Sequence, residues 1–398
     1  MPVIMRVLMV STEYPPMPGG VGRYTANLTQ AIRKTGAQVD VVCSKEGDGQ
    51  FSGISPKNKQ NSEVLLKIVN EAKPDVVHVQ FEPGMYGLLL DMKDPRNSGT
   101  YIDAFYRQCK VPIVTTFHTG FSLGQWLNHA SLVKKTGRTG KLGIPLRASI
   151  RLWKYSLNYK AFADLNRDKR MLSKAGIAFS HHLSKMLRKD CDIIYHGSEP
   201  APNVSPSKRE ARAYFGLPQE KRIALAVGFR TVTKGWDILQ QLNLPKEWII
   251  VSNSSKGHYN TETLELKWDK DTSHSDGGTP IIDLKRGFLG EKELSLLFFA
   301  SDILLLPYKV TAGSGVMFDG LAHGLPFVSS DLRFFKEFAA MGLGIATKRD
   351  PRDFEKAVAR LDSDYENYAK RVREFSQKLR WDYVAQQHLA VYRSVSRQ

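Results

Sequence analysis

Arg230 and Lys234 stand four positions apart directly after the apolar run Ile223 to Val227, within Gly228-Phe-Arg-Thr-Val-Thr-Lys-Gly235. Further along, Gly313-Ser-Gly-Val-Met-Phe-Asp319 is a glycine loop that opens what reads as a short helix. Arginine offers a bidentate fork and lysine a point charge. A helix start adds free N–H donors and a positive dipole end. Together they suit a diphosphate leaving group. A departing diphosphate carries negative charge, which preorganised cations and dipoles stabilise. A lone Arg-x-x-x-Lys would read as two solvated loop charges. Its place at a strand end, with a partner loop, makes it a candidate site. Arg230 and Lys234 are therefore expected to hold the diphosphate, assisted by the backbone N–H groups of Ser314 and Gly315.

Those loops need a frame to position them. Short Val- and Ile-rich runs recur in the first half: Arg6–Val10, Gln38–Cys43, Asp75–Val79, Val111–Thr116, Gly176–Ser180 and Asp192–Tyr195. Helix-like stretches such as Tyr24–Thr35 and Ser62–Ala72 separate them. Alternating elements, with runs read as apolar on both faces, predict a parallel sheet covered on both sides. Glu199–Ser207 is rich in proline and serine and reads as a linker. The rhythm then restarts with strands at Arg222–Val227, Trp248–Val251, Asp302–Leu306 and Pro326–Ser329. Asn253–Thr279 is polar and turn-rich, and part of it reads as a surface insertion. Pro351–Tyr392 is helical in period, with Asp350 and Pro351 as cap and first-turn residue. The expected class is α/β, with two doubly wound domains whose ligands bind at the carboxyl ends of the strands.

Bulk properties narrow the partners. At 398 residues two domains are the prior. No run approaches the roughly 20 apolar residues of a membrane span, and Val7–Val10 is too short for a signal-peptide core. Cys43, Cys109 and Cys191 are scattered without metal spacing, which fits a reducing cytosol. The net charge of +17 is uneven: from Leu123 to Arg170 eleven Lys or Arg face only Asp164 and Asp168, an excess of +9. Leu146, Ile150, Trp153 and Leu157 repeat at helical spacing, with Arg147, Arg151 and Lys154 on the adjoining stripe. A basic amphipathic helix of this kind suits an anionic membrane surface or a polyanionic acceptor. The same stripe also suits a helix packed on the sheet, with its charges solvated. No nucleic-acid module is evident.

Six segments, in order, resemble glycosyltransferase family 4. They are Glu13-Tyr-Pro-Pro-Met-Pro-Gly19-Gly20-Val-Gly22-Arg23, Thr115-Thr-Phe-His118-Thr, Ile194-Tyr-His196-Gly197-Ser198, Gly228 to Gly235, Phe288-Leu-Gly290 to Asp302, and Arg380-Trp381-Asp382 to Tyr392. The resemblance implies a GT-B fold, two Rossmann-like domains facing each other across a cleft. Residues 1–200 would bind the acceptor and 201–375 the nucleotide-sugar donor, while 376–398 form a helix that returns to the first domain. It further implies a retaining hexosyltransferase that needs neither metal nor cofactor. The donor would be a UDP or GDP sugar, and the acceptor a glycan, a glycolipid or a small molecule. The location would be cytoplasmic, peripheral at a membrane. By resemblance His118 contacts the donor sugar, and Asp319 accepts from the ribose hydroxyls. Gly19, Gly20, Gly228, Thr311, Gly313, Ser314, Gly315 and Val316 complete the donor site. The chain departs from the family at one place: of two glutamates separated by seven residues, the first falls on Thr311 and the second on Asp319.

Other readings fit less well. A dinucleotide fingerprint from Gly20-x-Gly22 would need glycine at Thr25 and an acid after the second strand, where Cys43-Ser44-Lys45 stands. Asp190-Cys-Asp192, Asp269-Lys-Asp271 and Asp362-Ser-Asp364 spell a metal motif in three unrelated contexts, and cations at the diphosphate make a metal redundant. The alternatives on the same fold are a nucleotide-sugar epimerase, a phosphorylase, or a non-catalytic carbohydrate- or membrane-binding relative.

Overall fold

The computed structural model describes residues 4–91, 94, 97–128, 144–255 and 278–396, with the backbone alone at 144–156 and Val232. The chain forms two compact units. The first holds the residues through Leu127, the stretch ending at Gly197 and the helix from Trp381; the second is chiefly Ser198–Arg380. The changeovers thus fall at Gly197 and Arg380, against the sequence-based 200 and 375.

The first unit is a seven-stranded sheet in the order β3-β2-β1-β4-β5-β6-β7. The strands are β1 (Arg6–Val10), β2 (Gln38–Cys43), β3 (Phe51–Ser52), β4 (Val76–Phe81), β5 (Ile113–Phe117), β6 (Ala175–Ala178) and β7 (Asp192–Ile193). All pairs are parallel. The helices are α1 (Gly20–Lys34), α2 (Asn61–Ala72), α3 (Asp103–Gln108), α4 (Ile144–Leu172) and α5 (His181–Met186).

The second unit is a six-stranded sheet in the order β10-β9-β8-β11-β12-β13, again all parallel. Its strands are β8 (Arg222–Phe229), β9 (Trp248–Ser255), β10 (Ile281–Asp283), β11 (Ile303–Leu306), β12 (Phe327–Ser330) and β13 (Gly344–Thr347). Helices α6 (Lys208–Phe215), α7 (Glu291–Ala300), α8 (Gly315–Ala322), α9 (Arg333–Ala340), α10 (Pro351–Ser363) and α11 (Tyr365–Ser376) cover it, and α12 (Trp381–Ser396) belongs to the first unit. The helical C-terminal region is thus divided into three helices, the last of them the separate final helix that was expected.

Local chemistry fixes the element ends. Ser207 and Glu210 form a reciprocal capping box at α6, and Asp350 accepts the Arg352 N–H at 3.0 Å with Pro351 in the first turn of α10. Such caps contribute about 1 kcal/mol each. β9 runs to Ser255 and so takes in the first three residues of the polar stretch Asn253–Thr279; 256–277, where the insertion was expected, lie outside the described residues.

The first sheet is buried on both faces, as expected, with one polar group set into the second. One face carries Leu8, Val10, Val77, Val79, Phe81 and Phe117 into the main apolar cluster with α2 and α3. The alternate residues of β4 and β5 point the other way, as the two-residue period requires. They include His78, Gln80 and Thr116, all fully buried. Val7, Met9, Val41, Val76 and Val114 keep the rest of that face apolar, so the polar group is confined to the middle of β4 and β5, under α1 and α12.

Candidate active site

In open parallel sheets, ligand sites collect where the strand order reverses. In the second unit that point lies between β8 and β11. The loop after β8 carries Arg230 and Lys234, and the loop after β11 carries Thr311 to Ser314. Gly228, at φ +140°, adopts a backbone conformation that side chains disfavour, just as β8 ends. The two loops are joined: the Lys309 N–H donates to the Thr233 carbonyl at 2.7 Å. The Lys234 ammonium sits 3.8 Å from the centroid of the Tyr308 ring, whose hydroxyl lies 3.3 Å from Ser314 Oγ. Ser314 in turn caps α8 by accepting the Met317 N–H at 3.2 Å. Lysine, ring and helix start are thus linked by contacts. Arg230 lines a hollow with Trp236, Ser252, Ser254, Ile281 and Asp283 at the ends of β8, β9 and β10.

The turn is braced from behind by residues the sequence reading did not single out. Arg349 donates to the Pro307 carbonyl at 2.9 Å and to Asp237 at 2.7 Å, and Lys309 pairs with Asp237 at 3.1 Å. Burial would raise the Asp237 carboxyl, but Arg349 and Lys309 outweigh it and hold it below its ordinary range. Gly235, at φ +70°, admits no side chain, because a Cβ there would strike the Pro307 carbonyl.

Thr311 is buried and turned into its own loop, accepting the Gly313 N–H at 3.3 Å and donating to the Gly313 carbonyl. Gly315 and Val316 form the first turn of α8. Asp319 lies in the second turn, so it is not a helix-start acid. It is buried, and Ser198 Oγ donates to it at 2.6 Å.

In the first unit the order reverses between β1 and β4. Gly19 and Gly20 open α1 at the end of the loop that follows β1. A Cβ at Gly19 would meet the carboxylate of Glu13, whereas Gly20 faces open space. Glu13 accepts the Gly22 N–H at 3.2 Å, and burial raises its carboxyl. Glu82, directly after β4, is pushed up to about 7 by burial, with Glu13 adding to the effect. His118, directly after β5, lies edge-on to Tyr24 and Phe179 with centroids 5.4 and 5.2 Å away. Its Nε2 meets Gln80 Oε1 at 2.9 Å. Burial first, and His196 second, depress its pKa to about 3, so the ring is neutral. Glu13, Glu82 and Gln80 were not foreseen. The only signal was the polar-at-every-second-position spelling Val76-Val-His-Val-Gln-Phe81.

Arg147, Arg151 and Lys154 lie along α4, but their side chains lie outside the described residues. Among the described residues no helix is long and apolar enough to cross a membrane, and no three His, Cys, Asp or Glu group as metal ligands.

Residues 18–165 match the sequence model of Glycosyltransferase Family 4. That segment is similar to Glycosyltransferase Family 4. A search of curated proteins gave no match. Solved structures align over nearly the whole chain. A sucrose-phosphate synthase from Thermosynechococcus elongatus covers 98% of this chain and 98% of its own, at 15% identity and TM-score 0.66. Anabaena HepE in complex with UDP covers 98% and 100%, at 13% identity and TM-score 0.63. A glycosyltransferase from Rickettsia africae covers 98% of each chain, at 15% identity and TM-score 0.59. At such identities the likeness establishes the fold, which is GT-B, and the family 4 segment carries the glycosyltransferase assignment.

Proposed function

We propose that this glycosyltransferase moves a hexose from a nucleotide-diphosphate sugar to an acceptor glycan, glycolipid or small molecule, with retention and without a metal. The observation that carries the reading is the chain Lys234–Tyr308–Ser314. It joins a fixed cation to the glycine loop and the start of α8 at the switch point of the second sheet. A negatively charged leaving group finds there an ammonium and a helix N-terminus that need no rearrangement. Arg230, in the same loop, would hold the diphosphate with Lys234, and the hollow it lines with polar Ser252, Ser254 and Asp283 suits the nucleoside side of the same donor. Asp319, with Ser198 on one oxygen, is the ribose acceptor in this reading. Anabaena HepE, of the same fold, is known in complex with UDP and with UDP-glucose, which favours a uridine nucleotide as the first candidate.

For the chemistry we favour a same-face displacement. The anomeric C–O bond to the phosphate breaks, the acceptor oxygen bonds to the anomeric carbon from the same side, and the acceptor proton passes to the departing phosphate oxygen. His118 and the loop of Gly19 and Gly20 would meet the donor sugar. The basic stripe Arg147, Arg151 and Lys154 would hold the protein at an anionic cytoplasmic membrane surface. The deciding experiment is a thermal-shift panel of UDP, GDP, ADP and their glucose conjugates in EDTA. A ligand at 100 times its Kd stabilises by about 2.7 kcal/mol. A shift with one nucleotide family supports the reading, and no shift with any of them overturns it.

A further inference from the structure

The second face of the first sheet holds a continuous hydrogen-bond chain from the C-terminal helix to His118. Tyr392 in α12 meets His78 Nδ1 at 2.6 Å. His78 Nε2 faces Thr116 Oγ1 at 2.8 Å and the Gln80 amide nitrogen at 3.3 Å. Gln80 Nε2 also donates to Met9 Sδ at 3.2 Å, and Gln80 Oε1 meets His118 Nε2 at 2.9 Å. His78, Gln80, Thr116 and Tyr392 are each 0% exposed. One turn earlier in α12, His388 donates from Nδ1 to the Val384 carbonyl at 2.8 Å, and its Nε2 faces the Tyr24 hydroxyl at 3.5 Å. Tyr24 is the ring that stands edge-on to His118.

The chain dictates a tautomer. With its nitrogen committed to Met9 and His78, the Gln80 amide turns its oxygen to His118. An amide oxygen only accepts. The proton of a neutral His118 therefore resides on Nε2, which leaves Nδ1 with a lone pair. With Gln80 donating to its Nε2, His78 carries its own proton on Nδ1 and donates it to the Tyr392 hydroxyl, so the chain is satisfied through to α12. An apolar face would dock the helix equally well, and a buried polar chain is costly unless every member is satisfied. What the chain adds is direction.

We infer that Gln80 is a positioning residue that holds His118 as the Nε2–H tautomer, with Tyr392 securing Gln80 through His78, so that Nδ1 faces a donor hydroxyl as a hydrogen-bond acceptor. The last clause rests on the glycosyl-transfer reading; the tautomer does not.

The experiment has two arms. Long-range proton–nitrogen spectra of the 15N-histidine-labelled full chain, without substrate, report each tautomer directly. His118 should appear as neutral Nε2–H at pH 7, and Gln80→Met should convert it to a mixture. Gln80→Glu should restore the wild-type tautomer. In that dry position burial keeps the carboxyl protonated, so that it donates to His78 and accepts from His118 as the amide does. In turnover with the nucleotide sugar chosen by the thermal-shift panel, Gln80→Met should lower kcat on the order of 100-fold. KM should not change, and Gln80→Glu should recover most of the rate. Tyr392→Phe should act in the same direction, more weakly. A wild-type His118 protonated on Nδ1, or charged at pH 7, overturns the inference even if Gln80→Met fails to fold. The expected tautomer with no turnover of any sugar nucleotide would instead sink the transfer reading and leave the positioning role intact.

Discussion

Lys234 lays its ammonium on the face of Tyr308, 3.8 Å from the ring centroid. A cation–π contact at this distance contributes about 0.5–2 kcal/mol. It holds a flexible lysine stem in one place before any anion arrives. Lys234→Ala and Arg230→Ala should each lower kcat for the nucleotide sugar by about 100- to 1000-fold, the range seen when a preorganised charge-stabilising group is removed. Steady-state kinetics would show it. Unchanged turnover in either variant would move the diphosphate away from this turn.

Gly235 should tolerate no substitution. Alanine there faces φ +70°, which costs about 1–2 kcal/mol, and its Cβ would also strike the Pro307 carbonyl. Gly235→Ala should lower the melting temperature and also weaken nucleotide binding, because the turn carrying Lys234 must shift. A variant with wild-type nucleotide affinity would show that the turn position is unimportant.

Asp319 offers a separable test, since one of its oxygens is engaged by Ser198 at 2.6 Å. Asp319→Ala should raise the KM for the nucleotide sugar by about tenfold or more, the worth of a charged hydrogen bond. Ser198→Ala should change KM far less. Equal effects from both variants would make Asp319 a strut for Ser198 and not a ligand to ribose.

Two buried sets titrate with opposite signs. Burial depresses His118 to about 3 and His388 to about 4, so both fold neutral. Their stability is complete above the unfolded value of 6.5 and is lost as pH falls from there toward 3. Glu82, raised from 4.5 to about 7, contributes stability that is complete below 4.5 and is lost as pH rises through 7. Glu82→Gln should therefore remove the decline between pH 4.5 and 7 in denaturant-derived stability, while leaving the acid limb in place. Parallel wild-type and variant curves would contradict this sign.

Membrane attachment, if Arg147, Arg151 and Lys154 supply it, has a predictable size. At about 1 kcal/mol per basic residue near an anionic surface, replacing all three with alanine should weaken binding to phosphatidylglycerol vesicles on the order of 100-fold. Neutral vesicles should show no difference. Sedimentation at two salt concentrations would settle it.

The frame was legible because long central strands have a clear period, and β1 and β2 begin and end where the sequence puts them. The strands it missed were β3, β10 and β13, of two, three and four residues. All three are sheet edges, where short strands limit unpaired backbone and leave too few positions for a pattern. The loop of Arg230 and Lys234 was legible because strand, cation and glycine lie close in sequence. Its braces were not: Arg349 reaches Asp237 across 112 positions, and Tyr392 reaches His78 across 314. No local pattern encodes such partners. The strand at Asp75–Val79 was legible, but its period gave no hint that His78 would pair with a helix some three hundred residues away, nor that Gln80 just beyond it would join the same chain.

The order in which this chain is made differs from the order in which it can be completed. The second unit is almost one uninterrupted stretch, Ser198–Arg380, whereas the first needs its final helix from Trp381 onward. Until that helix emerges from synthesis, His78, Gln80 and Tyr24 have their sheet but not their cover. The unit that begins first is closed last, and His118 acquires its orientation only when the whole polypeptide has been read.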